Sequence, residues 1–73
     1  MRTRQEQSRV GSFTGWNPAR GAGFIRTPDG KEFAVQPADI CGGEPSDLWT
    51  DQTVEFTPIF GQEVPRAISV RQM

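Results

Sequence analysis

The sequence predicts an all-β domain, a small barrel of five short strands. Eight glycines and six prolines among 73 residues interrupt the chain too often for long elements. No segment shows the 3.6-residue apolar period of a helix, whereas short runs of alternating apolar and polar residues recur between turn signals. Closure into a barrel removes the sheet edges through which strands aggregate. A chain of this length supports one hydrophobic core, so we expect one domain.

The charged residues are balanced in number but not in position. Eight Lys and Arg against nine Asp and Glu give a net charge of −1, which does not by itself indicate a polyanionic partner. Most basic residues precede residue 32 and most acidic residues follow residue 31, so one face can still be locally basic. Residues 1–8 are polar, and we expect a flexible arm carrying Arg2 and Arg4 before a domain over residues 9–73.

The first strand is predicted over residues 9–16, where β-branched and aromatic residues are frequent. The Asn17-Pro18 pair is a turn signal that ends it. Gly11 and Gly15 mark positions where this strand bends or bulges.

Two further strands form a predicted hairpin. Residues 22–27 alternate, and this alternation places Ala22, Phe24 and Arg26 on one face. The TPDGK segment at residues 27–31 predicts a tight turn, because proline fixes the first corner and glycine accepts a positive φ. The third strand covers residues 32–36 and ends at Pro37.

After a loop over residues 41–47, the last two strands are predicted over residues 53–57 and 66–71. Pro58 should end or kink the fourth strand. In the fifth strand the alternation places Ile68 and Val70 inward. The predicted core comprises ten apolar residues: Phe13, Ile25, Phe33, Val35, Ile40, Leu48, Val54, Phe56, Ile68 and Val70.

The residue types present argue against catalysis and against a metal or other cofactor. Histidine is absent, which removes the usual general base near neutral pH and the commonest metal ligand. The single cysteine, Cys41, has no partner for an intramolecular disulfide, as is typical of a reducing compartment. No apolar run is long enough to span a bilayer. We therefore expect a cytoplasmic protein that is not an enzyme.

Five segments in order resemble the cold-shock domain family. Residues 20–25 (RGAGFI) are similar to the family's first nucleic-acid-binding motif, Lys-Gly-Phe-Gly-Phe-Ile, and residues 32–40 (EFAVQPADI) to its second. Residues 11–17, 52–56 and 65–70 resemble the family's first, fourth and fifth strands. The resemblance covers most of the chain, and it implies a five-stranded antiparallel OB-fold barrel.

The resemblance also implies a function, the binding of single-stranded nucleic acid, although the binding surface differs from that of the family. The family stacks bases on exposed aromatic rings of the second and third strands, beside basic side chains that meet phosphates. Each stacked base contributes about 1–3 kcal/mol, so we expect weak binding here. Six positions that carry a ring in the family lack one in this chain: Gly15, Ala22, Ala34, Gln36, Pro37 and Pro45.

We expect a monomer that binds single-stranded RNA or DNA weakly, without strong sequence specificity, and that acts in transcription regulation as the resemblance implies. The predicted contact residues are Trp16, Asn17, Arg20, Phe24, Arg26, Lys31 and Gln36. For Phe24 and Trp16 a second interpretation stays open, that of structural rings covering the barrel rim. For the three basic residues the alternative is ordinary solvated charge.

A different class of function also stays open, an OB-fold module that contacts a protein and no longer binds nucleic acid. Trp49 and Phe60 stand at positions that are usually polar in the family, and they are the candidate apolar patch for such a partner. The loss of the outer rings favours this interpretation, whereas Arg20, Phe24 and the neighbouring glycines favour nucleic acid.

Overall fold

The computed structural model describes residues 8–41 and 47–73. In these ranges the chain is all-β, with a short 3₁₀ turn at Pro37–Asp39. The strands form a closed barrel of OB-fold type in the order β1-β2-β3-β5-β4. Their bounds are β1 (Arg9–Asn17), β2 (Ala22–Arg26), β3 (Glu32–Val35), β4 (Thr53–Ile59) and β5 (Arg66–Gln72). The expected flexible arm and most of the loop before β4 lie outside the described residues.

The barrel is mixed rather than wholly antiparallel. Four strand pairs are antiparallel, but β3 and β5 pair in parallel, with Ala34 opposite Arg66. The expected five-stranded OB-fold barrel is confirmed, and its one parallel pair has a geometric reason. Strand directions cannot alternate all the way around a closed ring of five, so one neighbouring pair must run the same way.

A bulge at Gly15 turns two aromatic side chains to the same side of β1. The pairing of β1 with β2 shifts between Phe13 and Gly15, and Gly15 has a φ of 119°. Trp16 then lies opposite Gly23, on the same side of the sheet as the pair formed by Phe13 and Ile25. A β-carbon on Gly23 would stand 2.7 Å from the Trp16 ring and 2.8 Å from the Phe13 ring. Gly23 is therefore needed to seat both rings.

A second irregularity, in β5, changes which residue points into the core. Ser69 has a φ of 52°, in the left-handed region, and the pairing of β4 with β5 shifts beside it. Ala67 and Val70 are fully buried, whereas Ile68 is half-buried. The prediction that Ile68 points inward is wrong, because the bulge replaces the two-residue alternation by a three-residue step.

Pro58 does not end β4, which extends two residues past its predicted bound at residue 57. The strand continues to Ile59, and Pro58 lies opposite Ala67 of β5. On its other side β4 pairs with β1 only as far as Phe56. Pro58 is therefore paired on one side only, the edge-like setting in which a missing N–H donor is tolerated.

The core fills the barrel interior with side chains from all five strands, and most of the predicted core is confirmed. Phe33 and Phe56 pack with ring centroids 4.9 Å apart near its centre. Ile40 is half-buried and packs against the core together with Trp16. The buried cluster comprises Phe13, Ile25, Phe33, Val35, Leu48, Val54, Phe56, Ala67 and Val70.

Candidate nucleic-acid interface

The outer face of β2 and β3 is the surface on which the sequence places the predicted contacts. Ile25 of β2 and Phe33 of β3 are fully buried, and they are paired side by side on the inner side of the barrel wall. Their alternate neighbours, Phe24 and Ala34, are likewise paired and lie on the outer face. The predicted alternation of these strands is therefore confirmed.

The turn between β1 and β2 positions Arg20 over this face. The side-chain oxygen of Asn17 accepts hydrogen bonds from the backbone N–H groups of Ala19, at 3.1 Å, and Arg20, at 3.3 Å. Gly21, with a φ of 72°, donates its N–H to the Asn17 carbonyl at 2.9 Å. Asn17 thus acts on the backbone of the turn, an arrangement typical of Asx turns.

Arg20 covers the ring of Phe24. Its guanidinium carbon lies 3.9 Å from the ring centroid, within cation–π distance. Phe24 is only 5% exposed although it lies on the outer face and outside the core cluster. The Arg20 side chain itself remains 46% exposed. The sequence therefore located the ring on the correct face, but the surface offered to solvent there is the guanidinium.

Glu32 fixes the position of Arg20 from the neighbouring strand. Arg20 Nη1 donates to Glu32 Oε1 at 3.4 Å, and the Glu32 side chain is 40% exposed. We call Arg20, Phe24 and Glu32 the Arg20 cluster. Sequence reasoning missed the role of Glu32, although the alternation of β3 places it on the same outer face as Ala34.

Two further predicted cations, Arg26 and Lys31, flank the turn between β2 and β3, and both are exposed. The turn is closed by a hydrogen bond from Thr27 N–H to the Lys31 carbonyl, at 3.0 Å. The Asp29 carboxylate accepts a hydrogen bond from the Thr27 hydroxyl, and this bond holds the pKa of Asp29 below its usual value of 3.8. Asp29 therefore stays ionised beside Lys31 at neutral pH.

Arg26 also borders an open groove of about 630 Å³ on the outer side of β1. Ser12, Thr14 and Thr53 contribute hydroxyl groups to its lining, and Asp51 contributes a carboxylate. The groove continues the polar outer surface from β2 across β1.

The remaining predicted contact residues lie at the edge of this face or away from it. Gln36 is exposed after β3, and its backbone N–H donates to Asp39 Oδ2 at 2.9 Å. The same Asp39 carboxylate accepts two bonds from Arg66 Nη2, at 3.0 and 3.1 Å. This ion pair, which spacing along the sequence does not reveal, ties the 3₁₀ turn to β5.

Trp16 lies on the interior side of β1 and is half-buried. Its ring packs edge-to-face on Phe13, with centroids 5.2 Å apart and planes at 65°. The structure therefore does not bring Trp16 together with Phe24 on the outer face, and the position matches the interpretation as a ring that covers the core.

Trp49 and Phe60 are 62% and 54% exposed, and they flank opposite ends of β4. The seven residues of that strand span roughly 20 Å, so each ring has surroundings of its own. Phe60 packs on Phe33 with centroids 5.9 Å apart, and the Arg9 guanidinium carbon lies 5.5 Å from its centroid. An open cavity of about 370 Å³ adjoins Phe60 beside Val64 and Pro65.

Comparison with known proteins gives no match for this chain. A scan against protein-family models finds no match, and a search of curated proteins finds no relative. Within residues 8–41 and 47–73, no group of three or more Cys, Asp or Glu side chains is arranged to hold a metal ion. The same ranges contain no helix with the length and apolar character to cross a bilayer.

Proposed function

We propose that this chain is a divergent relative of the cold-shock domains that binds single-stranded RNA or DNA weakly and without strong sequence specificity. The observation that carries the proposal is the Arg20–Phe24 stack on the outer face of β2, with Arg26 and Lys31 exposed on the same strand pair. A planar cation over a ring, beside further cations, supplies the two kinds of contact that single strands require, one to bases and one to phosphates.

Weak binding follows from what surrounds this stack. Ala22 and Ala34 stand on the outer face where larger rings would add stacking area. Glu32 and Asp29 lie among the three cations and lower the local positive potential. Affinity of this kind arises largely from the backbone charge of the strand, so it falls steeply with salt.

The cellular role that fits such binding is that of an RNA companion or an accessory factor in transcription in the cytoplasm, acting as a monomer. The protein holds a strand and transforms nothing, so no cofactor enters the proposal. Recognition by stacking and by phosphate contacts reads little sequence, because every base has a π-face.

A titration tests the proposal. A fluorescein-labelled 12-nucleotide single strand of mixed sequence is titrated with the protein at 20 and 150 mM salt while its anisotropy is recorded. Anisotropy is preferable to tryptophan emission, because Trp16 is packed on Phe13 and Trp49 lies before the start of β4. We expect saturable binding at low salt that weakens strongly at 150 mM. The absence of binding at 20 mM salt would contradict the proposal.

The double variant Arg26→Gln/Lys31→Gln sharpens this titration. If both cations meet phosphates, the slope of log affinity against log salt becomes shallower by about 1.4, since each contact to a single strand contributes about 0.7. Arg71→Gln is the matched control, because Arg71 is an exposed cation on β5. The control removes only one charge, so a change of about 0.7 in its slope, the same change per charge, would assign the binding to overall charge rather than to this face.

A second candidate function is a protein-interaction module, and the exposure of Trp49 favours it. A tryptophan that is 62% exposed is unusual on an isolated domain and typical of interface anchors. Pull-down from cells with the wild type, Trp49→Ser and Phe60→Ser compares the partners retained. A partner lost with either variant, together with unchanged oligonucleotide affinity, would support this function. Identical partner sets would contradict it.

A further inference from the structure

We propose that the guanidinium group of Arg20, rather than the ring of Phe24, is the surface on which a nucleobase stacks. The inference rests on the proposed function and identifies the element of the strand that the Arg20 cluster recognises. Phe24 is 5% exposed, and the guanidinium carbon lies 3.9 Å from its centroid. That separation is a van der Waals contact, so a base cannot enter between the two groups.

The opposite side of the guanidinium is open. The Arg20 side chain is 46% exposed, so the plane supported underneath by Phe24 presents its other side to solvent. A guanidinium is planar, delocalised and weakly hydrated, and bases stack on it as they do on aromatic rings. The stack would then consist of the Phe24 ring, the Arg20 guanidinium and a base.

Glu32 favours a base over a phosphate as the group that Arg20 contacts. Its carboxylate already accepts a hydrogen bond from Arg20 Nη1, at 3.4 Å, and would repel a phosphate that approaches the same nitrogen. A neutral base that stacks on the guanidinium plane avoids this repulsion. The same ion pair limits the rotation of the guanidinium and so reduces the entropy lost when a base binds.

The small side chain of Ala34 leaves space for that base on the outer face. Ala34 lies opposite Phe24 on β3, and Ala22 is the outward residue that precedes Phe24 on β2. Ala22 is itself only 7% exposed, whereas Ala34 is half-buried and places a single methyl group beside the Phe24 ring. A flat base that rests on Arg20 can therefore extend over Ala34.

Two labelled strands of equal length test the inference, one with bases at every position and one that is abasic throughout. Both carry the same phosphates, so only the first can stack. The variant is Arg20→Lys, which keeps the positive charge but lacks the planar guanidinium group. The control is Arg71→Lys on β5. Far-UV circular dichroism and the midpoint of thermal unfolding check that the half-exposed substitution leaves the fold intact.

Arg20→Lys should weaken binding of the base-containing strand at least about five-fold, which is the lower limit for the loss of one stacked base. It should weaken binding of the abasic strand less than about two-fold. Arg71→Lys should change neither. Unchanged affinity of Arg20→Lys for the base-containing strand, or equal weakening for both strands, would overturn the inference while leaving the proposed function in place. Failure of the wild type to bind either strand at 20 mM salt would overturn the proposed function itself.

Discussion

The guanidinium carbon of Arg20 stands 3.9 Å from the centroid of the Phe24 ring, on the outer face of a barrel whose interior is filled by other side chains. This pair joins the turn after β1 to the middle of β2, and Glu32 of β3 completes it. Three consecutive segments of the barrel wall are therefore linked on their outer side. We expect both the stability of the barrel and the proposed binding to depend on this link, and variants separate the two effects.

Arg20→Ala should lower the free energy of unfolding by about 1 kcal/mol, because it removes a half-exposed cation–π contact and uncovers the Phe24 ring. Urea unfolding measured by far-UV circular dichroism checks the value. Arg71→Ala, which removes an exposed cation elsewhere, should change it by less than about 0.5 kcal/mol. Equal values for the two variants would show that Arg20 does not stabilise the fold through the ring.

Gly23→Ala should destabilise the barrel by about 1–3 kcal/mol, because the added methyl group meets the rings of Trp16 and Phe13 at 2.7 and 2.8 Å. Both rings are constrained by the core, so neither moves aside freely. The midpoint of thermal unfolding is the measurement, and Ser12→Ala, at an exposed position of β1, is the control. A midpoint within error of the wild type would contradict the packing described for Trp16.

Ser69→Gly should raise stability by about 0.5–1 kcal/mol, because serine at a φ of 52° is strained and glycine adopts this conformation without a clash. Asp51, with a φ of 71°, offers a comparison. Aspartate tolerates the left-handed region better than serine, so Asp51→Gly should gain less. Urea unfolding of both variants measures the difference, and a loss of stability for Ser69→Gly would argue against the bulge in β5.

Stability should depend on the ionisation of Asp29 in acid. Its pKa in the folded protein lies below the usual 3.8, chiefly because it accepts a hydrogen bond from the Thr27 hydroxyl. A lowered pKa means that the folded state binds the proton more weakly than the unfolded state. The stabilisation is therefore present above the usual value of 3.8 and is lost as the pH falls through the lowered value.

The thermal midpoints of the wild type and Asp29→Asn, compared from pH 2 to pH 7, measure this effect. The wild type should unfold at the higher temperature at neutral pH, and the difference should shrink as the pH falls below 3.8. A difference that is constant across this range would show that the hydrogen bond does not depend on the charge of Asp29.

The regular parts of the fold could be predicted from the sequence, because alternation is a local property of a strand. Phe33 and Val35 of β3, and Ile25 of β2, point inward as their spacing requires. The predictions of which side chains point inward are wrong where pairing with another strand changes the two-residue alternation. The bulge at Ser69 moves Ala67 inward in place of Ile68, and no residue type in that segment signals a bulge.

The candidate site could be predicted in its residues but not in its arrangement. The motif located Arg20 and Phe24, yet the stack between them depends on the Asn17 turn, and the ion pair depends on the register that sets Glu32 beside β2. The bulge at Gly15 likewise decides that Trp16 faces Phe13. These relationships are set by tertiary structure, and separation along the sequence does not encode them.

The most direct test of the account is a map of backbone amide chemical shifts during titration of ¹⁵N-labelled protein with an unlabelled 12-nucleotide single strand at low salt. We expect the largest changes on the turn at Arg20 and on the outer face at Phe24 and Ala34, while the amides of Trp49 and Phe60 change little. Changes confined to Trp49 or Phe60, or no changes at millimolar strand, would contradict it.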